Sequence, residues 1–270
     1  MSRSRLLLTV FGLALSAVAV VALLRSIDAA DAARRLGTAR PGWILAACVV
    51  TTVGYWLRAL RWGEILSPHG RPPVGSLFRA TMIGFLAINT LPARLGELVR
   101  VYVLARTERL RTATVLGSVA VERIFDLVAL GSFWSLSLCF APYPDWFRWS
   151  GVITFGLGFL MAGVFWAIHA FGGWTWAAEL SAVLRWIPER PRQALTAAIP
   201  AFGDGIRAAG NPGVMLRSGL WSAAMWGVNG AVFLLVAEAL GMHLPLWSPL
   251  LLAFVVCVAI LLPSSPGFVG

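Results

Sequence analysis

Residues 112–140 read TATVLGSVAVERIFDLVALGSFWSLSLCF, a run of 29 residues whose charges are confined to Glu122, Arg123 and Asp126. The apolar residues are continuous rather than alternating, which favours a helix over the short alternating strands of a membrane barrel. About 20 such residues suffice for a helix to cross the hydrocarbon core of a bilayer. This stretch therefore predicts a membrane-spanning helix that carries three charges.

The rest of the chain shares this apolar character. Of its 270 residues, 59% are hydrophobic and 13% are charged, whereas soluble domains carry roughly 25% charged residues. A water-soluble fold of this length cannot bury so much apolar surface in one core. We predict an all-α polytopic membrane protein with about six to seven apolar segments, forming a single integral membrane domain over residues 1–270.

The other apolar segments differ in length. Four are as long as a membrane span, and two are too short to cross a bilayer as straight helices. The long segments are residues 6–24, 43–66, 151–171 and 218–237, and the short segments are residues 80–91 and 250–262. Each short segment runs into a Leu-Pro pair, so both are predicted to be re-entrant.

The basic charge of the chain also fits a membrane. The net charge is +10, and arginine supplies all 22 basic residues. The arginines lie mostly at the ends of apolar runs, which argues against nucleic-acid binding and for contact with anionic headgroups. Their distribution predicts a cytoplasmic N-terminus, with the arginine-bearing loop at residues 25–42 as an exception. Residues 174–211 mix apolar and charged residues and predict cytoplasmic amphipathic helices at the membrane surface.

Two charged motifs lie close to membrane depth. The first follows the short segment 80–91, and its Pro92 and Gly96 are predicted to break the helix and free backbone groups. The second is the Glu122–Asp126 motif, whose two acids lie on one helix face. Each charge near the bilayer centre costs about 2.5–3.5 kcal/mol on insertion scales. The charges must therefore pair with one another, lie shallow or line water.

We expect these motifs to bind an anionic headgroup. The predicted substrate-binding residues are Asn89, Arg94, Glu97, Arg100, Glu122, Arg123, Asp126 and Ser264. The arginines suit a lipid phosphate, the acids would orient them or bind a proton, and Asn89 and Ser264 would supply neutral hydrogen bonds. An ion-pair network that only holds two helices together is an alternative, as are shallow, solvated charges. Arg58 and Arg61, in the last turns of segment 43–66, are expected to snorkel to the interface.

The two Leu-Pro pairs belong to a repeated pattern. Leu91-Pro92 is followed by Gly96, and Leu262-Pro263 is followed by Gly267, each as Leu-Pro-x-x-x-Gly. Pro263, Pro266 and Gly267 are predicted to break the second helix. Two interrupted segments in oppositely oriented halves indicate an inverted repeat with a central site.

These motifs resemble the lysylphosphatidylglycerol synthase transmembrane region, a flippase-like membrane family. The residues that carry the resemblance are Arg61-Trp62, Asn89, Leu91-Pro92-Ala93-Arg94, Gly96-Glu97, Arg100, Glu122-Arg123, Asp126, Pro263 and Pro266-Gly267. The resemblance implies a multi-pass bacterial inner-membrane protein with re-entrant helices, and it implies that the family's pattern continues past Gly270. Full synthases of this family add a soluble aminoacyl-transfer domain, and their membrane region is credited with moving the modified lipid between leaflets.

The expected function is translocation of an anionic phospholipid or glycolipid between leaflets. The alternatives are an accessory or scaffold subunit for a lipid-modifying or envelope-modifying enzyme, and an intramembrane transferase that uses Glu97 or Asp126 as a base. The sequence contains no phosphate-binding loop and no recognisable catalytic motif, so an enzyme is the less favoured class. Neither a cofactor nor a metal is predicted. The predicted partners are anionic membrane lipids and a lipid- or glycolipid-synthesis enzyme.

Overall fold

The structure is a computed structural model that describes residues 29–90, 95–138, 189–206 and 210–261, with isolated residues between 140 and 163. All regular structure in these ranges is helical, as predicted. The α-helices are α1 (Ala29–Gly37), α2 (Pro41–Leu66), α3 (Val74–Thr90), α4 (Gly96–Thr107), α5 (Thr112–Ser137), α6 (Glu189–Ile206), α7 (Pro212–Ala239) and α8 (Ser248–Leu261). The predicted segments at residues 6–24 and 151–171 lie wholly or largely outside the described residues.

The helices differ in how well they match a membrane span. Two are long and apolar enough to cross a bilayer: α7, and α2 together with the 3-10 turn that extends it to His69. Helix α5 has 26 residues, about 39 Å at 1.5 Å per residue, but it contains the three charges of the Glu122–Asp126 motif. Helix α3 begins at Val74 and has 17 residues, so it is longer than the segment predicted over residues 80–91.

Helices α2 and α7 pack along each other in opposite directions. At one end, the backbone N–H of Arg40 donates to the carbonyl oxygen of Ala239 at 2.9 Å. At the other end, Nε of Arg217 lies 2.8 Å from Oε2 of Glu64. The two apolar helices therefore run antiparallel, as two spans that cross a membrane in opposite directions must.

Helices α3 and α4 form a tight antiparallel hairpin beside the C-terminal half of α2. A methyl group on Gly96 would collide with the carbonyl oxygen of Gly84 and with Ile88, and a methyl group on Gly84 would lie 2.7 Å from Cβ of Arg100. Glycine at both positions lets the two backbones touch. One buried apolar cluster joins the hairpin to α2 and α5, and its members are Ala59, Trp62, Leu66, Leu77, Ala80, Val101, Leu104, Ala105, Val115 and Val119.

Helix α6 belongs to the segment predicted to lie on the membrane surface. Its C-terminal half packs on α5, where a methyl group on Gly205 would collide with the carbonyl oxygen of Thr114, and one on Gly117 with that of Phe202. Ile206 is buried at this contact. This half of α6 is therefore covered by another helix of the chain, and the surface location of residues 174–211 stays a prediction.

The α5–α6 contact yields a stability prediction. We expect Gly117→Ala to lower the free energy of unfolding by about 1–3 kcal/mol, because the new methyl group forces the two backbones apart. Gly227→Ala is the matched control, since a Cβ at this helical position meets nothing within 4 Å. Heating the detergent-purified variants and measuring the remaining monodisperse fraction compares the two. Equal unfolding midpoints for the two variants would show that the α5 and α6 backbones are not in close contact at Gly117.

Helix α1 lies in the arginine-bearing loop at residues 25–42, and one of its acids offsets part of the positive charge of that loop. Asp31 accepts hydrogen bonds from Arg34 and from Nε of Arg35, the latter at 2.7 Å. These bonds, that from Arg35 foremost, lower the pKa of Asp31 and keep it ionised. The three residues together therefore carry one positive charge rather than two.

The described helices expose many large apolar side chains and bury four charged ones. Large apolar side chains are exposed on several helices, among them Leu45, Val49, Val53 and Trp56 on α2, Leu86 on α3, and Leu216 and Leu220 on α7. Arg61, Arg100, Glu122 and Asp126 are buried between the helices. A soluble protein shows the opposite distribution, so this surface fits a lipid environment.

Candidate functional site: a buried arginine cluster

Seven charged side chains from α2, α4 and α5 form one group, here termed the arginine cluster. Its members are Arg58, Arg61, Glu97, Arg100, Glu122, Arg123 and Asp126. Apolar contacts between α2, the α3–α4 hairpin and α5 hold these helices together. The charged side chains of the three helices α2, α4 and α5 therefore face one another.

Glu122 is the centre of the cluster. Its carboxylate is fully buried on α5 and accepts hydrogen bonds from Nη2 of Arg61 at 2.8 Å and from Nη2 of Arg100 at 2.9 Å. Arg58 and Arg123 each reach the same carboxylate at 3.2 Å. One carboxylate therefore joins guanidinium groups from α2, α4 and its own helix.

Asp126 extends the network by one helical turn. Nη1 of Arg61 donates to Asp126 at 2.7 Å and to the hydroxyl oxygen of Ser222 at 2.9 Å. Nη1 of Arg123 lies 3.3 Å from the second carboxylate oxygen of Asp126. Since Ser222 belongs to α7, the polar contacts of Arg61 connect α2, α5 and α7.

Aromatic residues hold two of the arginines. The guanidinium of Arg100 lies 5.0 Å from the ring centroid of Trp62, and that of Arg58 lies 5.5 Å from the ring centroid of Phe85. The indole N–H of Trp62 donates to the hydroxyl oxygen of Ser118 at 3.0 Å, which fixes the ring. Cation–π contacts of this kind are strongest away from water, so they help to orient both arginines.

The cluster is open on one side. The side chains of Arg123 and Glu97 are 39% and 33% exposed, and their closest charged atoms are 3.7 Å apart. Arg58 is 13% exposed, whereas Arg61 and Glu122 have no exposed side-chain surface. The Arg123–Glu97 pair is therefore the edge at which a ligand can reach the cluster.

The cluster contains more positive than negative charge. In the part of the chain that the structure describes, four arginines face three carboxylates, which leaves one positive charge. The buried Nε atoms of Arg61 and Arg100 have no hydrogen-bond partner among the described residues. Taking a net charge out of water is costly unless an opposite charge compensates it. The arrangement therefore favours an anion.

Most of the described residues that were predicted from the sequence meet in this cluster. Glu97, Arg100, Glu122, Arg123 and Asp126 are all members. Asn89 instead lies exposed near the end of α3, where its side-chain N–H donates to the carbonyl oxygen of Phe85 at 2.8 Å. Gly96, predicted to break a helix, is the first residue of α4. The other predicted residues lie outside the described part of the chain, and they are Pro92, Arg94, Pro263, Ser264, Pro266 and Gly267. The proposed inverted repeat depends on these residues and is therefore not tested by the structure.

The expectation that Arg58 and Arg61 snorkel to the interface was wrong. Arg61 is fully buried and Arg58 nearly so, because their acidic partners on α5 lie at the same level. A signal for this was present in the sequence. The two arginines share a helical stripe with Trp62 and Ile65, with the spacing that marks the buried face of a helix.

Buried charges, an apolar surface and two helices of span length define a helical membrane protein with a polar cluster in its interior. The chain belongs to the family described as the Lysylphosphatidylglycerol synthase TM region, whose family model matches residues 9–270. This confirms the resemblance found in the motifs.

The chain is also similar to a longer protein, named Glycosyltransferase AglD, from Haloferax volcanii. The two are 28% identical over 299 aligned residues, which cover 97% of this chain and 46% of that protein. The chain thus spans about half the length of this relative. No solved structure shows significant similarity to the chain.

Proposed function

We propose that this protein translocates an anionic phospholipid or glycolipid between the leaflets of a bacterial inner membrane. The observation that carries the proposal is the arginine cluster, which has a surplus positive charge and reaches the protein surface at Arg123 and Glu97. Guanidinium groups bind phosphate with two parallel hydrogen bonds. The headgroup would pass along this polar edge while the acyl chains stay in the bilayer.

The depth of the cluster supports a path into the membrane. Glu122 lies ten residues after the start of α5, which is about 15 Å along the helix axis. With the N-terminus in the cytoplasm, both legs of the α3–α4 hairpin would open toward the cytoplasmic side, as in a re-entrant hairpin. A headgroup held beside this hairpin would lie between the cytoplasmic surface and the middle of the bilayer.

The geometry divides the roles within the cluster. Arg123, at the open side, is the arginine that can turn toward a phosphate. Arg61 and Arg100 each donate to Glu122 at less than 3 Å, so we assign them to holding the carboxylates and the helices. Glu97 orients Arg123 in the ligand-free protein.

The proposal predicts a loss of lipid exchange in two variants. We expect Arg123→Ala to reduce exchange of a labelled anionic lipid in proteoliposomes at least tenfold, which corresponds to one charge-assisted hydrogen bond of about 1.5–3 kcal/mol. Glu97→Gln should also reduce exchange, because Arg123 loses the carboxylate that would take it back from a departing ligand. Both variants should remain in the membrane, because these side chains are partly exposed. Arg217→Ala, which removes an arginine with one carboxylate partner, is the control. If the wild-type protein exchanged no lipid class faster than protein-free vesicles do, the proposed function would be wrong.

A second candidate function is that of a membrane subunit for a glycan- or lipid-modifying enzyme. The similarity to about half of a protein named as a glycosyltransferase favours it. In this case the partly covered segment at residues 174–211 would be the docking surface. Affinity purification from native membranes tests this function: recovery of an enzyme that modifies lipids or glycans, with no lipid exchange by the purified chain, would favour the subunit role.

A further inference from the structure

We propose that the arginine cluster binds a single phosphate group of charge −1, and that this anion replaces Glu97 as a partner of Arg123. The inference rests on the proposed function, and it adds the charge of the ligand and the ion pair that the ligand replaces. A lipid phosphodiester and the singly charged form of inorganic phosphate, H2PO4−, share this chemistry.

The charge balance of the cluster limits the charge of its ligand. The described cluster has one positive charge more than it has carboxylates, and most of it is shielded from water. Counted with Glu97, which stays beside the cluster in the first turn of α4 after it leaves Arg123, a monoanion brings the seven side chains to neutrality. A zwitterionic headgroup brings no net charge, and a dianion reverses the imbalance, so both leave an uncompensated charge in a poorly hydrated place.

An incoming phosphate replaces the weakest of the acidic contacts of Arg123 described here. Arg123 lies 3.2 Å from Glu122, 3.3 Å from Asp126 and 3.7 Å from Glu97. The contact with Glu97 is the longest of the three, and both of its side chains are partly exposed. Exposed ion pairs contribute little to stability, whereas a guanidinium–phosphate pair is among the strongest polar contacts in proteins. An incoming phosphate therefore displaces Glu97 before it displaces the buried carboxylates.

Replacement of Glu97 by the phosphate would also loosen the contact between two helices. Glu97 is in the first turn of α4, and Arg123 is on α5. Loss of their ion pair frees the start of α4 from α5, while Arg100, one turn later, stays bound to Glu122. Ligand binding is thereby coupled to a local loosening at the start of α4.

Native mass spectrometry of the full 270-residue chain in detergent tests the inference. The probes are phosphatidylglycerol, with one negative charge, phosphatidylcholine, with no net charge, and inorganic phosphate as a competitor at mildly acidic pH, where most of it carries one negative charge. We expect wild type to retain phosphatidylglycerol in preference to phosphatidylcholine, and Arg123→Gln to bind it about tenfold more weakly. Glu97→Gln should bind it about two- to fivefold more tightly, because the competing carboxylate is gone.

Arg217→Gln is the matched control, because it removes the same charge from a partly exposed pair elsewhere. If it weakens binding as much as Arg123→Gln, general attraction to a basic protein explains the result and the inference is overturned. Weaker binding in Glu97→Gln also overturns it. Displacement of the lipid by inorganic phosphate supports recognition of the phosphate alone, and resistance to it supports recognition of the lipid. Failure of lipid exchange with this binding pattern intact would refute only the proposed function.

Discussion

Glu122→Gln is expected to lower the free energy of unfolding by about 3–5 kcal/mol, the range found when one partner of a buried ion pair is removed. Glu122 accepts hydrogen bonds from four arginines and has no exposed side-chain surface. The neutral amide keeps the shape of the side chain but leaves Arg61 and Arg100 without their central counter-charge. The expected result is a large fall in both membrane yield and unfolding midpoint.

The control is another glutamate–arginine pair of the same chain. Glu64 is 29% exposed and binds Arg217 at 2.8 Å, so Glu64→Gln should cost about 0–1 kcal/mol. A double variant, Glu122→Gln with Arg100→Gln, should recover part of the lost stability because it removes one uncompensated charge. Wild-type stability of Glu122→Gln would show that the carboxylate is not the charge centre described above.

Gly96→Ala is the second change with a large expected effect. The added methyl group would collide with the carbonyl oxygen of Gly84 and with Ile88, so the legs of the α3–α4 hairpin must separate. Because Arg100 lies one turn after Gly96, the separation also pulls its guanidinium away from Glu122 and Trp62. We expect a loss of about 1–3 kcal/mol of stability and a loss of lipid exchange in the surviving protein.

Gly75→Ala, on α3, controls for glycine replacement in the same hairpin, because a Cβ there meets nothing within 4 Å. The unfolding midpoint and the exchange rate should be measured on the same preparation of each variant. If Gly96→Ala matched wild type in both measurements, close backbone contact in the hairpin would not be needed to place Arg100.

The class of fold and five of the seven cluster residues could be predicted from local sequence patterns. Continuous apolar runs indicate membrane helices regardless of tertiary structure, and the spacing of Glu122 and Asp126 places both acids on one face of any helix. The partner of Arg61 could not be predicted in this way, because the stripe that it shares with Trp62 and Ile65 marks a buried helix face but does not identify the acid that lies opposite. Its partner Glu122 is 61 residues away, and tertiary packing decides their contact.

Asn89 was predicted from the sequence to bind a ligand, but its side chain is not a member of the cluster. A polar residue beside a helix break is a reasonable candidate for ligand binding, but its side-chain N–H is already bonded to the preceding turn of its own helix. Local backbone bonding of this kind competes with any longer-range role. Sequence spacing reveals which face a residue occupies and leaves open whether its hydrogen-bonding groups are available.

The distance in sequence between Arg61 and Glu122 has a consequence for how the protein is made. At about 5–20 residues per second, a ribosome completes α2 several seconds before it reaches the acid that neutralises the α2 arginines. During this interval α2 is a poor substrate for lateral release into lipid. We therefore expect α2 to be stably inserted only after α5 has been made, and chains truncated between the two helices to be open to membrane proteases.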